Sequence, residues 1–132
     1  MASGLYDKGR EGFLDGSIDW DTDNIKVLLV DTADYTVNLA THENHDDITG
    51  AGIVDTSGNL ASKTVTAGVA DAADITYTAV SGDSCECLVV YKDTGTSATS
   101  RLIAYIDGIS VTPNGGDITV TWDSGANKIF KL

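Results

Sequence analysis

Apolar residues recur along this chain in two rhythms, and each predicts a different element. Near the start, Leu5, Gly9, Gly12 and Phe13 fall at i, i+4, i+7 and i+8, with Tyr6 and Leu14 flanking the stripe. That spacing predicts one short amphipathic helix within residues 1–16, with Ser3 as N-cap and Gly16 closing it. A glycine inside a helix costs about 1 kcal/mol relative to alanine, so this helix needs a surface to lie on, and its missing side chains let it lie close. From Ile25 the rhythm is that of strands. Ile25-Lys26-Val27-Leu28-Leu29-Val30 carries apolar residues on both faces and reads as a central strand covered on two sides. Residues 31–48 are polar and irregular, with one helical turn expected near Thr41 to Asp47.

Period two then takes over. Val65, Ala67 and Val69 alternate with Thr64, Thr66 and Gly68, and Ile75, Tyr77 and Ala79 alternate with Thr76 and Thr78. Glu86 to Lys92 and Arg101 to Asp107 are expected to be antiparallel neighbours, joined by a loop whose largest apolar residue is alanine. Pro113-Asn114-Gly115-Gly116 is the strongest turn signal, because proline fixes φ and Asn-Gly accepts positive φ; it predicts a hairpin between 109–112 and 118–122. A turn over Asp123-Ser124-Gly125-Ala126-Asn127 leads into Lys128-Ile129-Phe130-Lys131-Leu132, where alternation runs to the last residue and predicts pairing into a sheet. Roughly seven or eight short strands, spaced about ten residues apart, describe an all-β fold: an antiparallel sandwich or jelly roll with a short N-terminal helix. The expected organisation is a single domain over 1–132, with the helical segment in 1–16 and the β sandwich in 25–132.

Composition narrows the partners. The 132 residues, 42% of them hydrophobic, suffice for one core without disulfide or metal. Eight Lys+Arg against 20 Asp+Glu leave a net charge of −12, which repels phosphate backbones and anionic lipid, and no basic cluster offsets it. Nucleic acid and membrane are therefore not expected as partners. No apolar run approaches the roughly 18 residues of a membrane span. The first ten residues hold no apolar stretch long enough for a secretory signal, which predicts synthesis in the cytosol.

Several short patterns invite chemistry and fall short of it. Cys85 and Cys87, two apart on an extended segment, are expected on one sheet face with Cβ atoms roughly 6–7 Å apart, too far for a bridge, and read as packing rather than half a thiolate site. Asp19-Trp20-Asp21-Thr22-Asp23-Asn24 imitates the first half of a calcium loop, yet Asn24 stands where glycine is needed and Val30 where a bidentate Glu is needed. It reads as a solvated acidic turn. His42 and His45 lack the Glu placement of a zinc-protease helix and read as a surface loop. Gly82-Asp83-Ser84 is followed by Cys85 and Glu86 instead of glycines, so it reads as a β-turn, with His42 or His45 the only bases a triad could draw on. Gly50-Ala51-Gly52 lacks the third glycine of a dinucleotide site. No catalytic residue, cofactor or metal is assigned. Trp122 shares a face with Ile118 and Val120 and is expected in the core, leaving Trp20 as the aromatic surface candidate.

The phrases Leu5-Tyr6-Asp7-Lys8-Gly9-Arg10-Glu11, Ile18-Asp19-Trp20-Asp21-Thr22-Asp23, Val27-Leu28-Leu29-Val30-Asp31-Thr32, Val90-Tyr91-Lys92-Asp93-Thr94-Gly95 and Pro113-Asn114-Gly115-Gly116-Asp117-Ile118 span nearly the whole chain. Together they resemble a family of small acidic proteins encoded by tailed bacteriophages. The resemblance implies a virion structural protein, a capsid cement or decoration subunit with a jelly-roll-like fold that stabilises the assembled head shell. Its implied partners are the major capsid protein and neighbouring copies of itself; its implied location is the capsid surface, after synthesis in the host bacterial cytoplasm. No catalytic residue carries over. On this reading the attachment surface includes Leu5, Tyr6, Phe13, Leu14 and Trp20; alternatively, the helix simply covers an open end of the sandwich. Other readings are a tail or fibre-associated virion protein, or a carbohydrate-binding β-sandwich module using Trp20, the nearby aspartates and calcium.

Overall fold

Two strands of nearly unbroken apolar sequence decide the architecture. In the computed structural model, which describes residues 3–122, 124–125 and 128–132, β2 (Ile25–Val30) and β7 (Cys85–Lys92) pair antiparallel from Ile25↔Lys92 to Val30↔Cys87. β8 (Leu102–Val111) lies on the other side of β7, β3 (Ile53–Thr56) beside β2, and β1 (Gly4–Leu5) beyond β8. The order is β1-β8-β7-β2-β3, antiparallel throughout. Such a sheet buries two faces and so needs two covers.

The first cover is made of two smaller sheets. One runs β10-β5-β4, from β4 (Thr64–Thr66), β5 (Val69–Asp71) and β10 (Phe130–Lys131); the other pairs β6 (Ile75–Tyr77) with β9 (Ile118–Val120). Between the layers lie Val27, Leu29, Leu88, Val90 and Ala104 of the large sheet with Trp20, Ala70, Ile75, Tyr77 and Ile129. This is an all-β antiparallel sandwich. The second cover is the irregular segment after β2, which sets Tyr35, Val37 and Ile48, together with Tyr6, over Leu28, Val30, Cys87, Val89, Leu102 and Tyr105. A short 3₁₀ turn over His45–Asp47 falls inside the helical turn expected there.

The helix α1 (Asp7–Asp15) is closed by Gly16 at φ 81°, as expected, but it starts later than the stripe implies. Ser3 is not its cap: Gly4 and Leu5 pair with Tyr105 and Ala104, and the Ser3 hydroxyl accepts the Asp107 N–H at 2.8 Å. Strand pairing gives these backbone groups partners and buries Leu5, which a free helical turn would not do. The close approach is real. A Cβ on Gly9 would lie 2.8 Å from the Leu102 carbonyl oxygen and 2.9 Å from the Ile103 Cα.

Three further expectations are corrected. The alternation from Thr64 to Val69 is a hairpin rather than one strand: Ala67 and Gly68 both take positive φ (53° and 77°), and Thr66 faces Val69 across a two-residue turn. The Pro113 turn does not make a hairpin, because β8 stays bonded to β7 as far as Val111 while β9 pairs with β6. That turn carries the chain between layers and is clasped by Val80, whose N–H donates to the Gly116 carbonyl at 2.9 Å and whose carbonyl accepts the Gly115 N–H at 2.7 Å. Thirdly, Cys85 and Cys87 do not share a face: a register shift between them sends Cys85 into one core and Cys87 into the other. Both are free thiols. Trp122 follows β9 rather than lying in it; it is partly buried, and its Nε1 donates to the Ala73 carbonyl at 3.1 Å. Asp123, Ala126 and Asn127 of the expected turn lie outside the described residues.

Gly9→Ala should lower stability by about 1–3 kcal/mol despite alanine's better helix propensity, because the methyl meets backbone that cannot yield. Gly12→Ala should cost less: its Cβ would meet side chains rather than backbone, the Cδ1 and Cγ1 of Ile18 and the Ser17 hydroxyl. Urea unfolding of the two variants checks the order.

Candidate functional site

The exposed large hydrophobic residues among those described are three, Leu14 (87%), Val65 (58%) and Leu132 (60%), and they gather in one region. Two adjoining grooves connect them. One, of about 360 Å³, is lined by Phe13, Trp20, Val65 and Leu132, with Asp19 and Asp21 beside them. The other, of about 370 Å³, is lined by Leu5, Phe13, Leu14 and Leu132, with Arg10 and Lys131 beside them. The helix end brings Phe13 and Leu14, and β10 brings Phe130 and Lys131, to the same place. Phe13 and Phe130 pack with ring centroids 5.8 Å apart. Arg10 reaches Asp7 at 3.2 Å on the open surface, a pair that leaves its charge available at the rim.

The residues nominated from sequence fall into two groups here. Leu14 is largely exposed at the edge of its groove and Phe13 is half-buried at the junction of the two. Tyr6, Trp20 and Leu5, by contrast, are buried, which corrects their nomination as surface residues. Trp20 is held by its Nε1 donating to the Asp71 carbonyl at 3.1 Å and by an edge contact to Phe130 at 5.2 Å, so its ring is not free to stack on a sugar. Tyr6 lies in the opposite core. Its hydroxyl is 2.8 Å from that of Tyr35, which in turn is 2.8 Å from Nδ1 of His42. Val65 and Leu132 were missed because an isolated valine in an alternating stretch and a terminal leucine look like ordinary strand residues.

The patterns that suggested chemistry are occupied by structural bonds. Ser84 bonds Thr112 at 3.1 Å, while His42 is engaged by Tyr35 and by the Asn38 N–H at 3.3 Å, so the two are not each other's partners. His45 sits edge-on to Tyr91 at 5.0 Å, and burial pulls its imidazole below the ordinary value, with Asp93 and Asp46 opposing. In the acidic turn, the Asp23 carboxylate accepts the Asp19 N–H at 2.8 Å and meets the Lys92 ammonium at 3.1 Å. Asp19 and Asp21 share a hydrogen bond that lowers the first carboxyl and raises the second. Asp31, Asp34 and Asp83 place carboxylate oxygens within 4.8 Å of one another, a grouping distant in sequence; Asp31 already accepts the Ala33 N–H at 2.9 Å. Burial pushes the Cys85 thiol up to about 11 and the Cys87 thiol to about 12. Among the described residues, the exposed large hydrophobic side chains are those of the apolar groove pair.

Compared with known proteins, the chain matches no family model and no curated protein.

Two measurements follow from the titrations. Neither cysteine should react with a thiol reagent at pH 8 while the chain is folded, and both should react once urea unfolds it, since the thiolate is the nucleophile. For His45 the folded value is depressed, so the unfolded chain binds the proton first as pH falls. Stability should therefore be full above about pH 6.5 and decline below it. His45→Phe, which keeps a ring against Tyr91, should flatten that decline in urea midpoints measured between pH 7 and 5.

Proposed function

We propose that this chain is a virion structural protein of a tailed bacteriophage, a cement or decoration subunit that attaches to the assembled head shell. The observation that carries this reading is the gathering of Leu14, Leu132 and Phe13 around connected apolar grooves on a molecule whose net charge is −12. An acidic surface keeps the free subunit dispersed, and a single apolar region supplies the contact that closes on the shell. The resemblance of its sequence phrases to small acidic phage proteins supports the same assignment. Attachment requires no reaction. A subunit that binds assembled shell better than separated capsomers stabilises assembly by mass action, and many copies multiply the effect.

On this proposal the major capsid protein is the partner, and the helix end rather than the whole N-terminal segment makes the contact. Arg10 and Lys131 beside the second groove favour acidic groups on the partner there, and Asp19 and Asp21 beside the first favour basic ones. Full burial of one leucine side chain stabilises by about 1.5–3 kcal/mol, so Leu14→Asp should weaken binding to shells lacking this protein by about tenfold or more. Co-sedimentation with purified shells measures it. The fold should be unaffected, since Leu14 touches solvent. Unchanged binding would sink the assigned surface, and antibody label on tails instead of heads would sink the assigned location.

A further inference from the structure

We infer that β4 is a copy-to-copy contact, pairing antiparallel with β4 of a second molecule about a twofold axis centred on Val65. This goes beyond attachment to the shell: Val65 also lines the first groove, but this contact uses the backbone edge of β4 rather than the groove. β4 is an edge strand in the order β10-β5-β4, and all three of its residues are exposed. Its sequence, Thr64-Val65-Thr66, has no charge, proline or bulge; of the devices that keep edges apart, shortness is the one it has. The nearest charge in sequence, Lys63, lies just before the strand and is turned to the Asp23 carbonyl.

The backbone is set for pairing. Thr66 and Val69 close the two-residue turn and form a hydrogen-bonded pair, so the next pair, Val65 and Ala70, is the non-bonded kind. The Val65 N–H and C=O therefore point away from β5, toward the open edge. The side chain is set as well. Val65 faces across to Ala70, which is buried in the sandwich core, yet Val65 itself is 58% exposed because the sheet stops there. A strand laid beside β4 would continue the sheet and cover it.

The second copy is the occupant that the sequence fits. Thr-Val-Thr reads the same in both directions, so antiparallel pairing places Thr64 opposite the second copy's Thr66, and Val65 opposite its own counterpart. Two hydrogen bonds form between the valines, and two three-stranded sheets become one of six. The other small-sheet edges differ: in β6, Ile75 and Tyr77 are already buried, in β9, Ile118 and Val120 are partly so, and β10 is two residues long with Phe130 half-buried and the charged Lys131 exposed. Strand pairing alone covers less than the roughly 800 Å² per partner typical of a stable complex. The contact is thus weak between free subunits and effective where many copies are held side by side.

Disulfide trapping tests this on the full chain, against a quiet background because Cys85 and Cys87 are buried. Valines facing each other as a bonded pair have Cα atoms about 5.5 Å apart, within the range a disulfide spans. Under mild oxidation at micromolar concentration, Val65→Cys should dimerise at least tenfold faster than Thr119→Cys on exposed β9. Mixed Thr64→Cys and Thr66→Cys proteins should cross-link to each other in preference to themselves. Equal rates for Val65→Cys and Thr119→Cys, or self-linking of Thr64→Cys as fast as mixed linking, would overturn the pairing. So would cross-linking of Val65→Cys to the shell protein instead of to itself on particles. Leu14→Asp should leave the trapping rate unchanged, which separates failure of this contact from failure of shell attachment.

Discussion

Every other feature of this molecule answers to one constraint: a five-stranded sheet whose central strands are apolar on both sides must be shielded from water twice. β2 and β7 bury Val27, Leu29, Leu88 and Val90 toward one side and Leu28, Val30, Val89 and Tyr91 toward the other. A chain of this length cannot build a full sheet for each side. One side receives two small sheets, and the other receives a loop stapled by tyrosines.

The loop cover explains why so many buried tyrosines appear. A polar, irregular segment can close over an apolar face only if its own groups find partners. Tyr35 does so by bridging Tyr6 and His42, and burial pushes its hydroxyl up to about 12. Tyr77 does the same on the other side, donating to the Val27 carbonyl at 2.8 Å. Each ring supplies area to the core and one directed bond to the backbone or a neighbour. These interactions account for several motifs that looked chemical in the sequence: His42, His45, Asp23 and Asp31 hold loops in place.

Much of this was legible from the residue pattern. The all-β class, β2 as a central strand, the β7–β8 pairing, Gly16 as the helix stop and the C-terminal strand all follow from periodicity and turn residues that act locally. What was not legible depends on layers meeting. Pro113-Asn114-Gly115-Gly116 marks a reversal, but only the competition for β8 and the Val80 clasp decides that the chain crosses to another sheet. Trp20, set among aspartates, reads as exposed until Asp71 and Phe130 arrive from distant parts of the chain. The importance of Val65 and Leu132 lies in what fails to cover them, which no local pattern encodes.

The register shift at Glu86 carries a consequence for where the protein can work. Across it the pairing advances two positions on β7 and four on β8, and the two neighbouring sulfurs lie on opposite sides of a solid sheet, each held among aliphatic and aromatic groups. They cannot be stapled together, and water-borne oxidants reach neither without unfolding. The folded architecture is accordingly indifferent to redox surroundings, the same in a glutathione-rich cell interior as in aerated medium.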